Sequence, residues 1–201
     1  MKKINIIIPV YDEEENIDEI YNEIKSLKIS HTIEFIFVDD GSKDGTLKKL
    51  KNLSKKNKLI KYISFSRNFG HQIALSAGLD HSDGDIIIMM DADLQHPVKY
   101  IPVMIKKYEQ GYKIVQMVKK TQGKRNFIIK FFAYFFYSFL RIFSDINISN
   151  NVSDFRLIDN QVNLELKKIK EKERFLRGLV QWVGFSYTEV QYEPKERKYG
   201  T

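Results

Sequence analysis

Cysteine is absent from all 201 residues. That excludes disulfides, cysteine-ligated zinc and a cysteine nucleophile, and it fits a reducing compartment. No run of eighteen uncharged apolar residues occurs, so the sequence offers no clear membrane span. The glycines form no Gly-x-Gly-x-x-Gly, and no Gly-Lys-Ser/Thr follows Gly41 and Gly45. Both common phosphate-binding loops are therefore missing. His31, His71, His81 and His96 show no His-x-x-x-His pairing. They read as structural or exposed, with His96 alone a candidate cleft residue. Repeats and low-complexity linkers are also lacking.

What is present has the composition of a globular chain, with 43% hydrophobic and 29% charged residues. The length suits one sizeable α/β domain. A net charge of +7 suits an anionic partner such as a nucleotide, a lipid phosphate or a membrane surface. Nucleic acid is the poorest candidate, because the basic residues form no compact patch in sequence. Met1-Lys2-Lys3 and the apolar run after it imitate a signal peptide. Asp12-Glu13-Glu14-Glu15 ends that run without a small-residue cleavage site, so a buried first strand is the better reading.

Apolar runs at Ile4–Pro9, Glu34–Val38, Ile60–Phe65, Ile86–Met90 and Ile114–Val118 predict buried parallel strands. Amphipathic stretches between them predict helices near Glu14–Lys28, Thr46–Lys56, Gln72–His81 and Val98–Gln110. Asp12 and Asp44 are candidate caps for the first two. Alternating strands and helices imply a mostly parallel sheet covered on both faces, with ligands beyond the carboxyl ends of the strands. Later, Phe127–Phe143 is crowded with aromatics, Asn147–Asp154 reads as a polar loop and Leu164–Arg174 as a charged helix. Phe175–Phe185 is apolar and carries the lone Trp182.

Four strand ends carry polar or glycine-containing segments, which together suggest one cleft. Asp91 and Asp93 follow a strongly apolar strand, and two carboxylates one residue apart can share a hard cation such as Mg²⁺ or Mn²⁺. The plain alternative is a strand-ending turn. Asp39 and Asp40 could accept from a nucleobase or ribose, or simply form a strand-to-helix turn, and local grounds do not choose. Asp154-Phe155-Arg156 reads locally as an ion pair. Its functional alternative has Asp154 facing an acceptor while Arg156 holds a phosphate. In Phe127–Phe143, Lys130, Tyr134, Tyr137 and Arg141 share one helical face against a broad aromatic remainder. Such a helix could lie in a membrane interface or in a core. Seventeen residues give roughly 25 Å at 1.5 Å each, with two cations inside, too little for a span.

Several segments together resemble the family 2 glycosyltransferases of the GT-A fold. They are Ile8 to Glu14, Val38 to Thr46, Ser66 to Gly70 and Met90 to Gln95. Ser153-Asp154-Phe155-Arg156-Leu157, Phe175-Leu176-Arg177-Gly178-Leu179 and Arg197-Lys198-Tyr199-Gly200-Thr201 are similar to its polyprenyl-phosphate branch. The resemblance implies one catalytic domain over residues 1–201, with a donor-binding half to 120 and an acceptor and membrane-proximal half after it. It implies donor contacts at Pro9, Tyr11, Glu13, Asp39, Asp40, Arg67, Asp91, Ala92, Asp93 and Gln95. Asp91, Asp93 and Gln95 would hold Mg²⁺ or Mn²⁺, and Lys130, Arg156 and Arg197 would reach phosphate. Asp91, Asp93 and Asp154 would be catalytic. Five positions depart from the pattern: Asp12 replaces the usual Asn, His96 a frequent Asp, and Lys119, Lys120 and Lys130 stand where relatives often carry Arg. Lysine lacks the planar fork of arginine.

The reaction implied is inverting transfer of a hexose from a nucleoside-diphosphate sugar to a polyprenyl phosphate, at the cytoplasmic face of the cell membrane. Rival expectations are transfer to a sugar hydroxyl, which needs a general base, and a non-catalytic membrane-surface module. Relatives often continue into transmembrane helices, so the chain is expected to be the catalytic part of a longer protein. Self-association through an exposed apolar helix is expected as well.

Overall fold

The computed structural model describes residues 1–120, 152–171 and 174–196. The first strand, β1 (Lys3–Val10), is buried from Ile4 onward, as its unbroken apolar run requires. It is followed by α1 (Ile17–Lys25), β2 (Thr32–Asp39), α2 (Thr46–Lys56), β3 (Ile60–Ser64), α3 (His71–His81) and β4 (Ile86–Met89). A short 3₁₀ turn leads into α4 (Ile101–Glu109) and β5 (Ile114–Lys119). The described chain resumes with β6 (Val152–Asp159), α5 (Asn160–Lys168), α6 (Leu176–Trp182) and β7 (Tyr187–Tyr192).

The seven strands lie in the order β3-β2-β1-β4-β6-β5-β7, and β6 alone runs against its neighbours. The mostly parallel sheet is therefore as expected. Period-two alternation divides the core between its faces. Ile4, Ile6, Ile8, Ile86 and Ile88 pack with Ile17, Ile20 and Ile24 of α1, Leu50 of α2, and Ile101 and Met104 of α4. Ile7, Ile36, Ile87 and Met89 pack with Ala74, Leu75 and Leu79 of α3, Val162 and Leu166 of α5, and Leu176 and Val180 of α6. Fully burying each such aliphatic side chain stabilises the fold by about 1.5–3 kcal/mol before entropy is counted.

The chain winds outward from β1 to β3, then returns through α3 over the opposite face to form β4 on the other side of β1. Reversals of this kind open a crevice between the two central strands at their carboxyl ends. Close packing of α3 on β1 demands Gly78, where a Cβ would sit 2.3 Å from Ile7 Cγ2.

Several local expectations change. Asp12 does not cap α1; Asn16 occupies that place. Asp12 adopts φ 51°, a left-handed conformation that Asn and Asp tolerate best. Asp44 stands before the N-cap Gly45 and accepts the Thr46 N–H at 2.9 Å. The polar loop expected up to Asp154 is already strand from Val152. The charged helix begins at Asn160, because Asp159 caps it by accepting the Gln161 N–H at 2.8 Å, and it ends at Lys168. The aromatic stretch Phe127–Phe143 with Lys130, and the terminal Arg197, lie outside the described residues.

Candidate active site

A cleft of about 470 Å³ lies at the crevice between β1 and β4. From the β1 end it takes Pro9, Tyr11, Asp12 and Glu13; from beyond β2 it takes Asp40. Asn68 and His71 come from the approach to α3. Asp91, Ala92 and Asp93 follow β4, Asp154 comes from β6 and Arg177 from α6.

The loops after β1 and β2 are knitted together by side chains. Asp12 Oδ1 accepts the Lys43 N–H at 2.7 Å, and the Asp12 N–H donates to Ser42 Oγ at 3.0 Å. The Glu13 N–H donates to Thr46 Oγ1 at 2.9 Å, and Glu14 accepts the Gly45 N–H at 2.9 Å. Asp39 is buried, bonded to the Ser42 N–H and the Ser64 hydroxyl, both at 3.0 Å. Asp40 anchors the following loop by accepting the Phe69 and Gly70 N–H groups at 2.7 and 2.9 Å. The turn between them needs Gly41. Its φ is +73°, and a Cβ there would lie 2.4 Å from the Arg67 carbonyl carbon. Asp40 thus reaches the cleft, whereas Asp39 is not among its lining residues. Arg67 is exposed, with its guanidinium 4.4 Å from the centre of the Phe69 ring.

Asp91 and Asp154 meet for a topological reason. The β4–β6 ladder pairs Met89 with Arg156, so its continuation by two residues sets Asp91 opposite Asp154. His71 Nε2 lies 3.4 Å from Asp91 Oδ1 and 3.5 Å from Asp154 Oδ2. Burial opposes a charge on His71, but Asp154 and Asp91 raise its pKa on balance. Burial pushes Asp91 up to about 6, aided by Asp93 and Asp154 and opposed by His71.

Asp154 is 4% exposed. Burial would raise its pKa, yet hydrogen bonds from His71 and Arg177 and the charge of Arg156 hold it well below the usual carboxylate range. Arg177 grips it in bidentate fashion, with Nε 3.1 Å from both oxygens and a terminal nitrogen 2.6 Å from Oδ2. Arg156 is 1% exposed and bonds Asp154 Oδ1 at 3.2 Å, the Ser153 carbonyl at 3.1 Å and the Leu176 carbonyl at 3.3 Å. The structure does not bring Arg156 to the cleft as a phosphate ligand. Its guanidinium is spent on the local ion pair, and the arginine lining the cleft is Arg177. Sequence reasoning gave neither Arg177 nor His71 a role, although Arg177 sits in a segment that carries the resemblance and His71 directly follows another.

The lining is acidic, with six carboxylates (Asp12, Glu13, Asp40, Asp91, Asp93 and Asp154) against one guanidinium. A diphosphate entering it would need an accompanying cation. The donors fit a hard one. Asp91 Oδ1 is buried without a hydrogen-bond partner, and the cleft also offers Asp93. Asp93 Oδ1 accepts the Gln95 N–H at 3.0 Å, and Gln95 itself is not among the lining residues. Among the described residues no three His, Asp or Glu side chains cluster tightly enough to hold an ion alone. Water or ligand oxygens would complete the shell, as Mg²⁺ and similar ions prefer.

Residues 5–166 match the family described as Glycosyl transferase family 2. The chain is 43% identical over 198 residues to an uncharacterised glycosyltransferase, YkcC, of Bacillus subtilis, covering 98% of this chain and 61% of the relative. It is 37% identical to a prophage bactoprenol glucosyl transferase homologue of Escherichia coli, covering 97% and 64%. To the bactoprenol glucosyl transferase of Shigella phage SfV it is 36% identical, covering 98% and 65%. The chain thus spans under two thirds of these relatives. Among solved structures, a Pyrobaculum calidifontis mannosyltransferase in complex with GDP-Man and Mn²⁺ superposes with TM-score 0.63 at 17% identity, over 94% of this chain and 55% of that one. Glucosyl-3-phosphoglycerate synthase of Mycobacterium tuberculosis, with Mn²⁺, UDP and product, gives 0.64 at 17%, over 99% and 73%. These likenesses identify the GT-A fold.

Proposed function

The chain belongs to glycosyl transferase family 2, and we propose that it transfers a hexose, with inversion, from a nucleoside-diphosphate sugar to a polyprenyl phosphate. The observation that carries this reading is the acidic cleft at the β1–β4 crevice, in which Asp154 is held ionised by Arg177 beside Asp91. Two relatives named for bactoprenol glucosyl transfer support the acceptor class. UDP-glucose and GDP-mannose represent the donor class.

Asp91 and Asp93, with Gln95 as the third ligand the family resemblance implies, would hold Mg²⁺ or Mn²⁺. That ion would neutralise the diphosphate and help it leave. Pro9, Tyr11, Glu13 and Asp40 line the donor side, with Asp39 and Arg67 supporting it from the neighbouring turns. An acceptor phosphate oxygen is already anionic near neutral pH and needs no base. It forms a bond to the anomeric carbon from the face opposite the leaving group. The bond from that carbon to the diphosphate oxygen breaks, and the electron pair departs with the nucleoside diphosphate. Asp154 has too low a pKa to serve as an efficient base and instead orients Arg177 and His71. Arg177 brings positive charge to the cleft, and Lys130 and Arg197, which lie outside the described residues, would add to it on the acceptor side as the family resemblance implies.

No helix among the described residues is long and apolar enough to cross a membrane. Action at the cytoplasmic membrane face is therefore proposed from the acceptor class. The test is a donor panel of UDP-glucose and GDP-mannose, with Mg²⁺ or Mn²⁺ and undecaprenyl phosphate, following nucleotide release and the lipid product. Product formation on a sugar hydroxyl instead of the lipid phosphate would overturn the acceptor assignment. Absence of turnover across the panel would favour a non-catalytic module.

A further inference from the structure

His96 is 2% exposed, and every polar atom of its ring is engaged. The Asp91 N–H donates to Nδ1 at 3.0 Å. That bond fixes the tautomer, because Nδ1 must then be the acceptor and Nε2 must carry the proton. Nε2 faces Ser153 Oγ at 3.0 Å and lies 3.6 Å from Asp91 Oδ2. Ser153 Oγ also accepts from the Tyr192 hydroxyl at 3.0 Å and the Phe155 N–H at 3.2 Å. The ring stacks on Phe155, centroids 4.9 Å apart and planes 14° from parallel, and meets Tyr192 edge-on at 5.9 Å. Beside it, the Gln95 carbonyl accepts the Lys195 N–H at 3.1 Å. The imidazole therefore joins the backbone of Asp91 to the start of β6 and the end of β7.

We infer that His96 is a positioning residue that sets the Asp91 carboxylate for a divalent cation, an inference that rests on the metal-dependent reading of the cleft. A backbone N–H held from behind fixes the peptide plane from which the Asp91 side chain projects. Nε2 limits where Oδ2 can swing, while Oδ1 makes no hydrogen bond and has the cleft-lining His71 Nε2 3.4 Å away. The clamp is built from parts that belong to three strands, so the geometry of the cleft depends on residues that never touch a ligand.

The two isosteric amides separate this role from mere packing. His96→Asn keeps an acceptor near the Nδ1 position, and His96→Gln keeps polar atoms near Nε2 but loses that acceptor. Mn²⁺ affinity is measured by calorimetry or electron paramagnetic resonance without any donor, alongside Tm. His96→Gln should weaken Mn²⁺ binding by roughly 10- to 100-fold, the usual loss when a group orienting a metal ligand is removed. His96→Asn should retain most of the affinity. Equal affinities in wild type, His96→Gln and His96→Asn overturn the inference while leaving the transferase reading in place, provided Asp91→Asn loses Mn²⁺. An Asp91→Asn chain that binds Mn²⁺ like wild type overturns the metal reading and the inference with it. Should His96→Gln fail to fold, His96→Asn decides: it keeps the acceptor for the Asp91 N–H, and a loss of Mn²⁺ binding as large as that of Asp91→Asn overturns the inference.

Discussion

Asp154→Asn tests whether the buried carboxylate is a charge hub or a replaceable acceptor. Two arginines converge on it, Arg156 from its own strand and Arg177 from α6, with Gln72 Nε2 at 3.4 Å. The Arg177 side chain is 45% exposed, so water can replace much of that pair and its loss weighs little. Arg156 differs, because its side chain is 1% exposed and, among the described residues, it pairs with Asp154 alone. Neutralising Asp154 leaves that guanidinium buried with two carbonyls for company, which costs about 3–5 kcal/mol. Against a total stability of about 5–15 kcal/mol, that is a large fraction. Urea denaturation should show a lower midpoint with an unchanged slope. Replacing both partners, as Asp154→Asn with Arg156→Met, should recover a substantial part of the loss, because the buried charge disappears with its counter-ion. The pH dependence follows the same logic. A carboxylate with a depressed folded pKa contributes fully above its unfolded value near 3.9, and that contribution fades as pH falls below it. The wild-type chain should therefore lose stability more steeply below pH 4 than Asp154→Asn does. A single-variant cost below about 1 kcal/mol, or strictly additive losses in the double variant, would refute this account.

Asp91→Asn and Asp93→Asn should abolish turnover with the fold intact by circular dichroism, since each removes a ligand charge from the candidate cation site; near-native rates in both would remove that assignment. Gly78→Ala should lower stability by about 1–3 kcal/mol by overpacking α3 against Ile7, read as a fall in Tm, and an unchanged Tm would show that the two elements separate easily. Binding to anionic vesicles at low salt should weaken when Phe131, Phe135 and Phe139 become Ser; a wild-type chain that stays with the soluble fraction in flotation ends the proposal of a membrane-surface helix.

Strands β1, β2 and β4 were legible because their side chains are mostly apolar and buried on both faces, and a continuous β-branched run has few other uses. The acidic end of β4 was legible for the same reason: a polar Asp-Ala-Asp after Ile86–Met90 marks a strand mouth. Strand β6 was not. Its Ser153, Asp154, Arg156 and Asp159 look like a loop, yet all four are buried and satisfy one another or nearby backbone. Strand β7 alternates exposed and half-buried residues with Glu189 and Gln191 among them, as befits a strand with one neighbour, and its signal is weak. His71 carries no local sign of function because its carboxylate partners come from β4 and β6, and only the folded sheet puts them within 3.5 Å. Arg177 is hidden likewise, since its identity as the cleft arginine depends on Arg156 turning inward.

The reversed direction of β6 sets limits on how this protein can change. Alternate residues of β6 face opposite sides of the sheet, with Phe155 and Leu157 in one core and Ile158 in the other. Gaining or losing a single residue inside the strand would exchange those faces, sending Asp154 to the side of His96 and Ser153 to the side of Arg177. No point substitution could undo that. Chain length within β6 is thus inherited as strictly as any acidic side chain in the cleft, and alleles with one-residue insertions or deletions there should be recovered only as losses of function.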